Sequence, residues 1–222
     1  MKQFKTGTGK HESQLGFRVI LSTLFVLVAL IRSYFMRRGS ESGERVSRTR
    51  EERFALPLLA SINVLGTIAG VVYVFAPQRT RWATLPTPTW SRWVGVGLGS
   101  VSLPLFAWTH QALGKNWSLA LVTKEGHTLV SSGPYRWVRH PMYTAIFLQS
   151  LASFLLSANW VIGIAGLGTS ILCVARVGEE EALMVDEFGD QYRAYMERTG
   201  RFLPLVNAQA YVFGPLIEGA TP

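Results

Sequence analysis

The sequence predicts an all-α integral membrane protein with about five transmembrane helices, and three observations support this. Hydrophobic residues make up 48% of the 222 residues and charged residues only 16%, whereas roughly 25% of a soluble domain is charged. Apolar segments of about 20 residues, the length that a helix needs to cross a bilayer, recur along the chain. Most of the basic residues behind the net charge of +8 lie between these segments, where Lys and Arg set membrane orientation.

The N-terminal half contains three of these segments. Residues 15–35 are too long for the core of a signal peptide, and the sequence RSYFMRRG follows instead of a small-residue cleavage site, so we expect a retained helix. Residues 54–76 form the second segment, with glycines that suit close helix packing in lipid. An interfacial loop rich in Pro and Trp, 76–93, leads to the third segment, 93–113, which we expect Pro104 to kink.

The C-terminal half begins with a long polar loop, residues 114–140, which is followed by two closely spaced apolar runs. The first run covers 142–157, and the second begins at Trp160, with a helix that we expect to continue past Cys173 into the charged sequence VGEEEALMVDEFGDQYRAYMERTG. Only the short junction Ser157-Ala158-Asn159 connects the runs, which predicts a tight helical hairpin. Because Cys173 is the single cysteine of the sequence, an internal disulfide is excluded.

The distribution of Lys and Arg predicts the orientation in the membrane. With five spans and an external N-terminus, the inner connections hold about twice as many Lys and Arg as the outer ones. We therefore expect the loop 114–140 and the C-terminal tail to face the cytoplasm. The membrane itself, a bacterial inner membrane or the endoplasmic reticulum, stays open.

The stretch SSGPYRWVRHPMYTAIF, residues 131–147, places polar residues at the start of an apolar helix. Pro141 suits the first turn of a helix, which puts His140 near the N-cap. Free backbone N–H groups at this position favour an anionic group such as a carboxylate, and Arg136 and Arg139 reinforce that field. The alternative is a basic membrane anchor before an ordinary proline-started helix.

A second cluster follows the last apolar segment. Arg176 and Glu180 are four residues apart and share one helical face, within a run of three glutamates, Glu179 to Glu181. The pair is either a surface ion pair at a helix end or a functional group at membrane depth. The sequence shows no His, Cys, Asp and Glu set with the spacing of zinc ligands, so no metal is expected.

The polar loop supplies a third group of candidate residues within GKNWSLALVTKEGHTLV, 114–130. Asn116 and Trp117 can serve as interfacial anchors. His127 precedes the apolar sequence Thr128-Leu129-Val130, which can lie against a flat ring or form a short buried strand beside a surface histidine.

Together these motifs resemble the isoprenylcysteine carboxyl methyltransferase family and its bacterial relatives. The similarity rests on HTLVSSGPYRWVRHPMY, on the Arg176–Glu180 spacing and on EEEALMVDEFGDQYRAYMERTGRFLP. It covers roughly 114–205, which we expect to form the catalytic region. Residues 1–113 are then N-terminal transmembrane helices with little family similarity, and residues 206–222 a C-terminal tail.

The resemblance implies a membrane-embedded methyltransferase that uses S-adenosyl-L-methionine and has no Rossmann domain; no GxGxxG follows a plausible strand here. The implied cofactor-binding residues are His127, Thr128, Leu129, Val130, Tyr135, His140, Pro141, Met142, Tyr143 and Glu180. The implied catalytic residues are Arg176, Glu180 and Arg139, and the substrate-binding candidates are Arg176, Asn116 and Trp117. Ala120 departs from the family, which often has a glutamine shortly after the loop asparagine.

The expected reaction moves a methyl group to a lipophilic acceptor, either a carboxylate of the isoprenylcysteine kind or another lipid or small hydrophobic molecule. A carboxylate acceptor needs no general base, whereas an amine or thiol would need one, for which His140 or Glu180 are candidates. The expected partners are this acceptor and the bilayer, without nucleic acid or metal. Two alternatives are a sterol-type reductase that uses NADPH and a non-catalytic membrane scaffold.

Overall fold

The structure is a computed structural model that describes residues 5–39, 52–114 and 128–205, with side chains from residue 14 in the first range and residue 54 in the second. In these ranges the regular secondary structure is helical, and two isolated β-bridges are the extent of strand pairing. The predicted all-α class is therefore confirmed.

Six α-helices occur in the described ranges. They are α1 (Lys5–Gly39), α2 (Glu52–Phe75), α3 (Thr89–Leu113), α4 (Pro141–Ser157), α5 (Trp160–Phe188) and α6 (Asp190–Arg198). Short 3-10 helices, Pro77–Ala83 and Gly133–Arg136, precede α3 and α4. The five predicted apolar segments correspond to α1 to α5. The predicted continuation of the fifth helix through the charged sequence is wrong beyond Phe188, because Gly189 adopts a positive φ of 54° and ends α5, and the short polar helix α6 follows as a separate element.

Three segments are long and apolar enough to cross a membrane: Gln14–Arg37 in α1, Phe54–Phe75 in α2 and the whole of α5. Helix α4 is apolar but shorter, at 17 residues. Helix α3 is continuous, contains Pro104 and several polar residues, and is not among these candidate spans. The membrane class is confirmed, and a total of five crossings stays a prediction.

Small residues bring the helices close together. A Cβ added at Gly95 of α3 would lie 3.0 Å from the Leu155 side chain of α4, and one at Gly66 of α2 would lie 3.0 Å from Ala165 of α5. Close backbone approach at small residues is the usual basis of helix packing in lipid, where burial of apolar side chains provides little driving force.

The predicted hairpin between α4 and α5 is present. Ala158 ends α4 in the left-handed conformation, with φ of 48°. Asn159 then caps α5, because its side-chain oxygen accepts hydrogen bonds from the backbone N–H groups of Val161 and Ile162, at 3.0 and 3.3 Å. This turn holds α4 and α5 antiparallel, so that the start of α4 and the end of α5 lie at the same end of the bundle.

Large apolar side chains cover the outside of the bundle. Leu65 of α2 and Ile164 of α5, for example, are 65% and 59% exposed. A compact apolar core lies at the end of the bundle where α4 meets α5, formed by Phe17, Leu21, Leu24, Tyr73, Leu156 and Ile162. The exposed apolar faces are those expected of helices whose surroundings are lipid rather than water.

Candidate active site

A cavity of about 690 Å³ lies between the helices and reaches the start of α4. At this end Arg139, His140, Tyr143, Arg176 and Glu180 line it. Farther in, the walls are mainly apolar side chains of α1 to α5. One continuous space therefore joins a charged cluster to an apolar interior.

The start of α4 is built as the sequence predicts. His140 is the N-cap and Pro141 the first helical residue. Met142 and Tyr143 line the cavity in the first turn, where backbone N–H groups have no acceptor within the helix. The preceding backbone is held by the C-terminal segment, because the His140 N–H donates to the Arg201 carbonyl at 2.9 Å. The first turn thus presents free N–H groups to the cavity.

Glu180 is the centre of the charged cluster. The Tyr143 hydroxyl donates a hydrogen bond to its Oε1, and Arg176 Nε lies 3.8 Å from the same oxygen. His140 Nδ1 lies 3.4 Å from Glu180 Oε2, and the His140 ring stacks parallel to the Tyr143 ring at a centroid distance of 5.7 Å. Residues of α4 and α5 that are 33 or more positions apart therefore meet at one carboxylate.

Glu181 shares one neighbour with Glu180 and otherwise has different partners. His140 Nε2 lies 3.4 Å from Glu181 Oε1, just as His140 Nδ1 lies 3.4 Å from Glu180 Oε2. Neighbouring residues of an α-helix point about 100° apart, so one can face the cavity and the other the protein. Glu181 is buried, with 4% exposure, and accepts from Arg139 Nε at 2.9 Å and from Arg201 Nη2 at 2.7 Å. Sequence reasoning did not single out Glu181; its one signal was its place in the run of three glutamates, Glu179 to Glu181.

Arg139 connects Glu181 to the end of α6. Besides its bond to Glu181, its Nη1 donates to the carbonyl of Met196 at 2.7 Å and to that of Thr199. Arg139 also lines the cavity. Most of its donors already have acceptors within the protein, which favours a positioning role.

Buried tyrosines form the wall beside α6. Tyr135, Tyr192 and Tyr195 all line the cavity, and the Tyr195 hydroxyl donates to the Tyr135 carbonyl at 2.6 Å. Burial raises the pKa of Tyr195 to about 12, and burial followed by the neighbouring Tyr195 raises that of Tyr135 well above its ordinary value. These phenols are therefore neutral hydrogen-bonding groups at physiological pH.

The structure brings most of the predicted site residues together. Thr128, Leu129 and Val130 line the same cavity as Tyr135, His140, Met142, Tyr143, Arg176 and Glu180. Pro141 is buried at the start of α4 and is not among the lining residues. The predicted residues Asn116, Trp117 and His127, together with Ala120, lie outside the described residues.

A second polar cluster, of uncharged side chains, lies deeper in the cavity, and none of the sequence motifs predicted it. The Ser102 hydroxyl of α3 lies 2.7 Å from Gln149 Oε1 of α4, and Gln149 Nε2 lies 3.5 Å from the Ser153 hydroxyl. All three side chains line the cavity. Such contacts link helices within a membrane. Among the described residues, no group of three or more His, Cys, Asp or Glu is placed to hold a metal ion.

The comparison with protein families agrees with the predicted resemblance. Residues 97–186 match the isoprenylcysteine carboxyl methyltransferase (ICMT) family. This region runs from within α3 almost to the end of α5 and contains the Glu180 cluster. The resemblance inferred from the sequence motifs is confirmed.

Several curated proteins are similar to this chain. The protein-S-isoprenylcysteine O-methyltransferase of Homo sapiens is 35% identical over 81 residues, 36% of this chain and 28% of that protein. The protein of that name from Mus musculus is 27% identical over 135 residues, 60% and 48% of the two chains. The protein-S-isoprenylcysteine O-methyltransferase B of Arabidopsis thaliana is 24% identical over 202 residues, 88% and 98%. The matched regions of the human and mouse proteins span less than half of their lengths.

A solved structure supports the fold. The eukaryotic intramembrane Ras methyltransferase ICMT superposes with a TM-score of 0.50 and 19% sequence identity, covering 85% of this chain and 63% of that one. The similarity extends beyond the family region into the N-terminal helices. The arrangement of helices is therefore that of an ICMT-like membrane protein.

Proposed function

We propose that this chain is an integral membrane methyltransferase that transfers a methyl group from S-adenosyl-L-methionine to the carboxylate of a lipophilic acceptor of the isoprenylcysteine kind. The observation that supports this most is the cavity, which joins the charged Glu180 cluster to an apolar interior between membrane helices. Such a cavity can hold a charged methyl donor at its polar end and the long apolar group of an acceptor in its apolar interior.

The residues at the polar end fit the methyl donor. Its carboxylate suits the free N–H groups in the first turn of α4, at Met142 and Tyr143. Its ammonium group or ribose hydroxyls suit the Glu180 carboxylate, which is held toward the cavity by Tyr143. The cavity volume of about 690 Å³ lies within the range usual for small-molecule sites. When bound, the donor supplies an electrophilic methyl group on a sulfonium.

Arg176 is the residue that we assign to the acceptor. It lies one helical turn before Glu180 on α5 and lines the cavity. A guanidinium matches a carboxylate through two parallel N–H···O contacts, which fixes the orientation of its oxygens. Because a carboxylate is already ionised at neutral pH, it needs no general base, and positioning supplies most of the rate.

Glu181 and Arg139 would act indirectly. Their ion pair ties α5 to the backbone at the end of α6 and to the segment before α4. This fixes the positions from which Glu180 and His140 reach the cavity. We therefore assign Arg139 a positioning role rather than contact with the acceptor.

A methyl-transfer assay tests the proposal. Purified protein in lipid nanodiscs would receive donor with a labelled methyl group and N-acetyl-S-farnesylcysteine as acceptor. We expect a labelled methyl ester, recognised because mild base releases its label as methanol. This acceptor has no free amine or thiol, so a parallel reaction would supply a lipid extract instead. Base-resistant label in that extract, with no ester formed on the farnesylcysteine, would point to an amine or thiol acceptor and would contradict the carboxylate assignment.

A control variant and two cofactor-binding measurements distinguish methyl transfer from the alternative functions. Arg193→Gln removes an exposed ion pair with Asp190 and should leave the ester yield unchanged. Protein that binds no methyl donor but binds NADPH would favour a reductase, and protein that binds neither would favour a scaffold. Either outcome would overturn methyl transfer.

The proposal also places the Glu180 end of the cavity at the cytoplasmic face of a bacterial inner membrane or the endoplasmic reticulum, as the Lys and Arg distribution predicts.

A further inference from the structure

Two arginines at the end of the bundle opposite the Glu180 cluster are packed against aromatic rings. Arg18 of α1 lies over the Tyr73 ring, with Cζ 5.8 Å from its centroid. Arg92 of α3 lies over the Phe17 ring at 5.3 Å and is 8% exposed. We call Arg18 and Arg92 the far-end arginine pair.

Within the described ranges, the far-end arginine pair has no anionic partner of the kind that arginines packed inside a protein normally have. Arg18 Nε is buried without a hydrogen-bond partner, and neither residue forms an ion pair with the part of the chain that the structure describes. Removing a guanidinium from water without an acceptor is costly. An aromatic face offsets only part of this cost, because it accepts no strong hydrogen bond.

Both guanidinium groups pack against rings of the same apolar core, because Tyr73 and Phe17 both belong to it. We call the surface of this core that carries the two arginines the patch. The Trp93 ring packs against Phe17 at a centroid distance of 5.5 Å. The described residues nearby, 14–20, 70–95 and 155–163, contain Arg but no Asp or Glu. The patch therefore has excess positive charge with no carboxylate of its own in these segments.

We propose that the far-end arginine pair binds the phosphate of an anionic phospholipid headgroup. Guanidinium groups bind phosphate oxygens through paired N–H···O contacts. The location favours a lipid phosphate over a free one, since exposed tryptophans surround this end, including Trp82 and Trp160, whose rings pack at 5.2 Å. Tryptophan is enriched at the depth of lipid headgroups, and the apolar core around Phe17 and Leu21 begins directly below.

Lipid retention measured by native mass spectrometry tests this site independently of any enzymatic activity. The protein would be released from nanodiscs of phosphatidylcholine and phosphatidylglycerol in equal amounts. We expect wild-type protein to retain phosphatidylglycerol preferentially, and the Arg18→Gln, Arg92→Gln double variant to retain it about tenfold more weakly. Arg79→Gln is the matched control, since this arginine lies at the same end in the exposed 3-10 helix, and it should retain the lipid as the wild type does.

Two further measurements keep the proposal falsifiable if the double variant folds poorly. The single Arg92→Lys variant keeps the charge but loses the planar fork, and it should weaken phosphatidylglycerol retention without changing thermal stability in phosphatidylcholine. Phosphatidylglycerol should raise the Tm of the wild type more than inorganic phosphate does in phosphatidylcholine nanodiscs. Equal retention of both lipids by the wild type, equal retention by wild type and Arg92→Lys, or equal stabilisation by free phosphate would each overturn the proposal.

Discussion

The arginines at the two ends of the helix bundle have different kinds of partners. At the cavity end, Arg139 and Arg201 share the buried carboxylate of Glu181, and Arg176 lies beside Glu180. At the far end, Arg18 and Arg92 face aromatic rings and no described carboxylate. Where internal acids hold the basic side chains, those side chains are fixed in place. Where acids are missing, the charge stays available to an anion from outside the protein.

Removing the Glu181 carboxylate, which pairs with Arg139 and Arg201 at the cavity end, should have the largest effect, and the effect is on folding stability. Glu181→Gln leaves Arg139 largely buried without its carboxylate, and we expect a loss of about 3 kcal/mol of folding stability. This is the low end of the range for broken buried pairs, because Arg201 reaches solvent. Thermal unfolding in nanodiscs measures it. A variant as stable as the wild type would mean that the carboxylate does not anchor this end.

The adjacent glutamate should behave differently. Glu180→Gln removes a carboxylate that faces the cavity, so we expect about a 100-fold loss of methyl-donor affinity or of activity with only a small change in Tm. Binding calorimetry and the ester assay measure the two effects. Glu187→Gln, an exposed position on the same helix, is the control and should behave as the wild type. Equal loss of stability at 180 and 181 would remove the distinction between the two carboxylates.

Substitution of Arg176, the residue assigned to the acceptor, should have a smaller effect on the reaction than substitution of Glu180. Arg176→Lys keeps the positive charge but loses the planar fork that orients a carboxylate. We expect the KM for the farnesylcysteine acceptor to rise about tenfold, while the Kd of the methyl donor changes little. The reverse pattern, with donor binding lost and acceptor KM retained, would assign Arg176 to the donor.

The smallest effect concerns alkaline pH. Burial raises the pKa of Tyr195 to about 12 from an ordinary value of 10, so the folded protein retains this proton more strongly than the unfolded chain does. Its stabilising contribution is complete below pH 10 and is lost as the pH rises toward 12. Tyr195→Phe should therefore flatten the decline of Tm over that window. An unchanged decline in the variant would show that other groups cause it.

Much of this arrangement follows from local sequence signals. Pro141 marks the start of α4, the short junction Ser157-Ala158-Asn159 marks the hairpin, and the spacing of Arg176 and Glu180 puts them on one face. The helix α1 is longer than the predicted 15–35, because the prediction followed hydropathy alone, whereas the helix extends into polar sequence at both ends.

The contacts that position the site could not be read from the sequence. Glu181 and Arg201 are 20 positions apart and meet only because α6 folds back, and Tyr195 reaches Tyr135 across 60 positions. Arg18 and Arg92 entered the sequence analysis only in the count of basic residues on the outer side, which says nothing of their packing. In the structure Arg92 is buried and Arg18 is half-buried, each against an aromatic ring. Pairings of this kind depend on tertiary packing, for which a single sequence carries no periodic signal.

The most direct test of the proposed site is an experimental structure of the protein with bound S-adenosylhomocysteine, the demethylated donor. We predict that its amino-acid part contacts the first turn of α4 at Met142 and Tyr143 and that Glu180 accepts a hydrogen bond from it. The cavity beyond should remain open toward the apolar interior. A ligand bound elsewhere, or one without contact to Glu180, would contradict the account.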